Sequence, residues 1–259
     1  MKIEKVIHSC DSNPFYLDFW PITSKLWKEK FKTEPILVFI GDSNTEIDDT
    51  YGTVIKMEPV EGVPIYLQTL WVRYWLPYTE PDTTWMISDI DMIPMSEYYF
   101  FDKIKDIPDD KYVHLNPCSQ TYHDMYPSCY HVAKGSSFTD VLSLPSSWEK
   151  SVRDLAKSNL GSDPGGHLQG KNLWFADEKY ANVKISNYSD SSKFLLLDRE
   201  GGQNGHRIDR DNWRYDESLI LRQFYFDSHL IRPYHHHKEE INRVVDLVMN
   251  SKNEIGELL

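Results

Sequence analysis

Pro35-Ile36-Leu37-Val38-Phe39-Ile40-Gly41 is a continuous apolar run closed by a glycine. A strand sends alternate side chains to opposite faces, so a run with no polar position reads as a strand buried on both sides. Such strands belong to parallel sheets with a helical layer on each face. The flanking sequence fits that plan. Lys2 to Ser9 reads as a strand, and Asn13-Pro14 supplies an N-cap and an N1 proline for a helix through about Phe31, kinked at Pro21. Thr53 to Met57 is a shorter strand. Pro64 opens a helix that runs through Leu67, Leu70, Trp71 and Tyr74 and stops before Pro77. Strands alternating with helices predict an α/β fold with an open, mostly parallel, Rossmann-like central sheet flanked by helices.

The next strand brings chemistry. Thr84-Trp85-Met86-Ile87-Ser88-Asp89-Ile90-Asp91-Met92-Ile93-Pro94 is an apolar run that ends in two carboxylates two residues apart, beyond which the chain is expected to turn at Pro94. Carboxylates at the end of a buried strand must be paired or bound to a cation. A divalent metal that itself carries a phosphate-bearing ligand is the usual partner. Open α/β sheets bind ligands beyond the carboxyl ends of their strands. Asp11, Asp42, Asp89 and Asp91 all follow expected strands and should therefore share one rim. The tripeptide alone says little: Asp209-Arg210-Asp211 repeats it without a preceding strand and reads as a solvated loop.

Composition limits the partners. The net charge of -12, from 40 acids against 28 Lys plus Arg, argues against a nucleic-acid partner, which calls for a basic stripe. No apolar run is long enough to span a membrane, and the first residues enter strand-like sequence with no secretory core. Cys10, Cys118 and Cys129 are too few and scattered for a disulfide framework or a zinc site. A soluble, cytoplasmic protein with reduced thiols is expected. With 259 residues and no repeat or clear linker, a single domain is expected. Its second half is less regular. Strands are expected over Lys111 to Asn116, Cys129 to Ala133 and Lys193 to Asp198. Helices are expected over Ser147 to about Ser158 and Glu239 to about Met249, with a loop at Gly161 to Gly166.

The segment Val63 to Phe101 resembles the heart of the GT-A family of nucleotide-sugar glycosyltransferases, including compact soluble and virus-encoded members. The carriers of the resemblance are the hydrophobic strand before Asp89-Ile90-Asp91 and the basic Arg73 on the helix before it. It covers the N-terminal half well and the C-terminal half through scattered motifs. The resemblance implies a nucleotide-sugar-binding half over about 1–101 and an acceptor-binding half over about 102–259. It implies transfer of a sugar from a nucleoside diphosphate donor, UDP-linked, to a glycan hydroxyl, with Mn²⁺ or Mg²⁺ as cofactor. Asp91 would ligate the metal, and Asp89 would face the ribose or a metal-bound water.

The family's third ligand is often a late histidine. Here that is His229, in Asp227-Ser228-His229-Leu230-Ile231-Arg232-Pro233, and an imidazole favours Mn²⁺. His235-His236-His237 reads as a solvated turn. Ser9, Cys10 and Asp11 would meet the base and ribose, although Asp11 could equally cap the next helix. Arg73 could pair with a rim carboxylate or with the diphosphate, and Asp42 could lie near the base or in a plain turn. Trp174-Phe175-Ala176-Asp177-Glu178-Lys179-Tyr180 resembles the segment where inverting members place a base. Asp177 is the first candidate and Glu178 the second; both would also suit an ordinary helix N-terminus. His167 with Gly165 and Gly166 is a candidate for shaping the acceptor pocket, and Trp174, Trp213 and Tyr215 are candidate sugar-stacking rings. Two alternatives stand beside this reading: a sugar-1-phosphate nucleotidyltransferase, disfavoured by the lack of a Gly-rich basic loop after the first strand, and a non-catalytic sugar-binding module.

Overall fold

The computed structural model describes residues 1–117, 124–158, 160, 173–200 and 205–254. Its main sheet has seven strands. These are β1 (Lys5–Cys10), β2 (Glu34–Ile40), β3 (Thr53–Met57), β4 (Thr84–Ile87), β6 (Tyr112–His114), β7 (His131–Lys134) and β8 (Phe194–Leu196). They lie in the order β3-β2-β1-β4-β7-β6-β8. The first four are parallel; β7 runs antiparallel to both β4 and β6, and β8 is parallel to β6. The expected open, mostly parallel sheet is the observed one.

The apolar run of β2 behaves as its composition requires. Leu37 and Phe39 pack into one core cluster, and Ile36, Val38 and Ile40 into the other across the sheet. The helix Ile65–Trp75 covers β1 and β2. Against it lie the helix Trp148–Lys157, capped by Ser147 as expected, and the helix Ala176–Ser186. Trp71 Nε1 donates to Ser151 Oγ across the first of these contacts at 2.8 Å. Gly135 opens a helix over Gly135–Leu142 that the sequence reading lacked. A Cβ at Gly135 would run into the carbonyl oxygens of Pro77 and Glu80, so only glycine allows that close approach.

Two expectations are corrected and a third is borne out. The stretch from Pro14 to Phe31 is not one kinked helix but three pieces: α-helices at Pro14–Leu17 and Trp20–Lys25, then a π-helical turn at Leu26–Lys30. As expected, the strand before the acid pair stops short of it, at Ile87, and Asp89 and Asp91 stand in the link beyond. The chain does not turn at Pro94. Met92–Pro94 is a strand, β5, because its backbone pairs antiparallel with β10 (Asp227–His229). A two-residue strand, β9 (Arg207–Ile208), pairs parallel on the other side of β10 and completes a second, three-stranded sheet. No helix among the described residues is long and apolar enough to cross a membrane.

Candidate functional site

The register of the small sheet brings distant residues together. His229 pairs with Met92, the residue after Asp91, and the amide of Leu230 donates to the Asp91 carbonyl at 2.9 Å. On the other side Asp227 pairs with Arg207 and Ser228 with Ile208, so one further step along both strands sets Asp209 beside His229. Side chains two apart share a face of a strand. The pair Asp227 with Arg207 is therefore followed, on the same face, by His229 with Asp209. The first pair is a buried ionic knot: Arg199 and Arg207 both grip the Asp227 carboxylate, and Tyr130 donates its hydroxyl to it at 2.8 Å. Burial alone would raise that carboxyl's pKa, but the two guanidinium groups hold it far below the usual range.

His229 of the second pair lines a cleft of about 460 Å³ beyond the carboxyl ends of β1 and β4. Imidazole His229 stands between two acids there, with Nε2 3.7 Å from Asp91 Oδ2 and Nδ1 3.7 Å from Asp209 Oδ2. Both distances are too long for hydrogen bonds. The nearby imidazole and the Asp211 amide, which donates to Asp209 Oδ1 at 3.0 Å, lower the Asp209 carboxyl's pKa. Asp91 is buried and also meets Arg210 Nη2 at 2.9 Å and Arg232 Nη1 at 3.8 Å, all on Oδ2. Arg232 lies over the Tyr16 ring, 5.1 Å from its centroid.

Asp89 takes a different partner. Arg73, 3% exposed, pairs with its Oδ1 and donates to the Ser88 carbonyl at 3.3 Å. Burial would raise the Asp89 pKa, but the guanidinium wins and lowers it. Arg73 also lies 3.8 Å from Asp177 Oδ2. Asp177 and Glu178 occupy the first turn of their helix, as expected. Ser128 holds both, with its hydroxyl on Asp177 Oδ2 at 2.8 Å and its amide on Glu178 Oε1 at 3.1 Å. Burial raises the Asp177 carboxyl despite Arg73. Burial, and next the Asp177 charge, push Glu178 up to about 8.

Nine of the expected site residues line this one cleft: Ser9, Cys10, Asp11, Arg73, Asp89, Asp91, Asp177, Glu178 and His229. Two of them also do local work. Asp11 Oδ1 accepts the Asn13 amide at 3.0 Å, and the Ser9 hydroxyl donates to the Thr69 carbonyl. The Cys10 thiol is buried, which raises its pKa. Asp42 does not join the rim: it is exposed and holds the Asn44 amide at 2.9 Å in a turn. Trp174 is in the cleft, its ring 5.8 Å from that of Tyr66, whereas Trp213 and Tyr215 pack on the core away from it. His235 and His236 are exposed in a 3₁₀ turn. Cys118 and the loop with Gly165, Gly166 and His167 lie outside the described residues.

The largest correction concerns Asp209-Arg210-Asp211, expected as a solvated loop. Asp209 meets His229, Arg210 meets Asp91, and Asp211 lines the cleft. Sequence reasoning also missed Arg232 and Ser128. Arg232 carried a signal in its place three residues after His229; Ser128 carried none.

Two side chains here could contribute to holding a metal. Asp91 and His229 offer a hard carboxylate and an imidazole, a donor set that suits Mn²⁺. Among the described residues no group of three or more His, Cys, Asp or Glu side chains stands close enough to hold an ion. Asp89 is turned to Arg73, and Asp209 faces the opposite nitrogen of His229.

The cleft, the sheet order and the small mixed sheet together form a GT-A-like fold, as the sequence resemblance implied. Among solved structures, the galactosyltransferase LgtC in complex with donor and acceptor sugar analogs shares it. That match has a TM-score of 0.50 and 10% identity over 96% of each chain. A glycosyltransferase involved in the glycosylation of the major capsid of PBCV-1 aligns at 0.47 and 10% identity, over 93% of this chain and 98% of its own. An active-site mutant of LgtC aligns at 0.48 and 10% identity, over 94% of each. No family model matches the sequence, and no curated protein matches it.

Proposed function

We propose that this chain is a glycosyltransferase that moves a sugar from a nucleoside diphosphate donor, UDP-linked, to a hydroxyl of a glycan acceptor. The observation that carries the proposal is the convergence of Asp91, His229 and Arg73-paired Asp89 at the carboxyl end of β4, in one cleft with the buried Asp177 and the half-buried Glu178. Ser9, Cys10 and Asp11, at the end of β1, would meet the base and ribose, and Asp89 the ribose or a metal-bound water. Asp91 and His229 would hold Mn²⁺, or Mg²⁺ less well. When bound, the cation supplies positive charge against the leaving diphosphate.

The acceptor has to lose a proton as its oxygen bonds to the anomeric carbon. In the same displacement the bond to the diphosphate breaks, and its electron pair leaves on the phosphate oxygen. A carboxylate of the cleft takes the proton, and direct displacement inverts the anomeric centre. Of the two acids Glu178 is the more accessible base. Ser128 holds both, but Asp177 is 1% exposed and lies beside Arg73, whereas Glu178 is only half-buried. Asp177 then serves by keeping the proton affinity of Glu178 high.

Calorimetric titration of UDP with and without Mn²⁺ tests the proposal. Asp91→Ala should weaken metal-supported UDP binding on the order of 100-fold, about 2.7 kcal/mol, while the protein stays folded. Unchanged binding would sink the metal assignment. Slow Mn²⁺-dependent release of UDP from a donor sugar, lost in Glu178→Gln, is expected of an enzyme. Binding with no turnover would instead favour a non-catalytic sugar-binding module.

A further inference from the structure

Arg210 has more donors than partners. Its Nη2 pairs with Asp91 at 2.9 Å, but Nε and Nη1 are buried with no hydrogen-bond partner among the described residues. A buried N–H left unmade is destabilising. The side chain is 14% exposed and lines both the main cleft and an adjoining cavity of about 620 Å³. The neighbouring arginines have fixed duties. Arg73 serves Asp89 and backbone oxygens, while Arg199 and Arg207 grip Asp227.

The partner of Arg210 is also contested. Asp91 Oδ2 is the oxygen that His229 Nε2 and Arg232 face as well. A cation held between Asp91 and His229 would compete with the guanidinium for that oxygen, since His229 faces the same one. The backbone beside Arg210 is meanwhile fixed, because Asp209 sits against His229 and bridges to Asn212.

We infer that Arg210 is a diphosphate-binding residue that exchanges partners. Without a cation it is the counter-ion of Asp91. When the cation takes Asp91, the guanidinium turns to the phosphate oxygens of the donor, where its planar fork finds the acceptors it lacks. The inference rests on the donor reading above and adds the residue that would couple metal and nucleotide binding.

The full-length protein with Arg210→Ala and Arg210→Lys tests this, with melting temperature as the check on folding. Mn²⁺ alone is titrated by the loss of its free spin-resonance signal, and UDP and UMP are titrated by calorimetry in saturating Mn²⁺. Arg210→Ala should bind Mn²⁺ alone as tightly as wild type or several-fold tighter. Its UDP affinity should fall about 10- to 100-fold, the range of hydrogen bonds to a charged group. UMP, with one phosphate fewer, should lose less, and Arg210→Lys should lie between. If Arg210 is only the counter-ion of Asp91, UDP affinity in a folded Arg210→Ala stays within about twofold, and the inference fails alone. Parallel loss of Mn²⁺ and UDP binding also overturns it. A wild-type protein that takes up no UDP overturns the donor reading and this inference together.

Discussion

The two Asp-x-Asp tripeptides reach one cleft by different routes. Asp89-Ile90-Asp91 follows the fully buried β4, and its middle residue, Ile90, is 3% exposed in the core. Asp209-Arg210-Asp211 has a charged middle residue and follows a strand of only two residues. The first is placed by the hydrophobic effect acting on its own flanks. The second is placed by pairing with β10, and beneath that pairing lies the knot of Asp227 with Arg199 and Arg207. Position in a cleft can thus be set by backbone pairing with no local apolar pattern to announce it.

That contrast breaks most visibly at Asp227. Asp227→Ala leaves two arginines buried without their carboxylate and should cost about 3–5 kcal/mol in urea unfolding. An unchanged midpoint would mean that the second tripeptide is seated by something else.

Asp89 and Asp91 each face a guanidinium group, whereas Glu178 faces another acid, and its pH dependence measures the difference. Its carboxyl stands at about 8 in the folded protein, against an ordinary 4.5 in the unfolded chain. Between those values the folded state holds a proton that the unfolded state has lost. The associated stability is complete below about pH 4.5 and is lost as the pH rises through 8. Glu178→Gln removes that loss. Its melting temperature should match wild type at pH 4.5 and exceed it at pH 8.5, by about 2–4 °C for each of ~1–3 kcal/mol relieved. A variant that melts with wild type at both pH values would place Glu178 in solvent.

Asp209→Asn sharpens the comparison at the level of binding. A carboxylate on the far nitrogen of a ligating imidazole fixes its orientation, so Mn²⁺ affinity should weaken about 10-fold by calorimetry. An unaltered affinity would return the second tripeptide to a purely structural role. Asp42→Ala is expected to do least, within about 0.5 kcal/mol of wild-type stability and with UDP binding unchanged, since Asp42 only closes an exposed turn.

The legible part of the site was the part carried by strong local patterns. β1 through β4 follow from apolar runs and their breakers, and Asp11, Asp89 and Asp91 were found by standing just past them. Asp42 satisfied the same rule and failed it, because the turn after Ile40 faces solvent rather than the cleft. Arg73, His229, Asp177 and Glu178 came from the resemblance to GT-A enzymes, and all four line the cleft. Ser128 offered no pattern; its hydroxyl and amide matter only because folding sets them against two acids on a helix 49 and 50 residues away.

By itself the sequence determined a mostly parallel sheet with Asp89 and Asp91 beyond its fourth strand. Burying Ile36 to Ile40 on both faces requires such a sheet, and the apolar run through Ile87 has to end where the carboxylates begin. Only the tertiary structure decided that Arg210, 119 residues further on, shares Asp91, and that His229 stands between Asp91 and Asp209. Strands of two and three residues carry no period that a sequence can display. Their register is fixed by hydrogen bonds between backbones and by the buried charges of Asp227, Arg199 and Arg207, all of which come into contact only on folding.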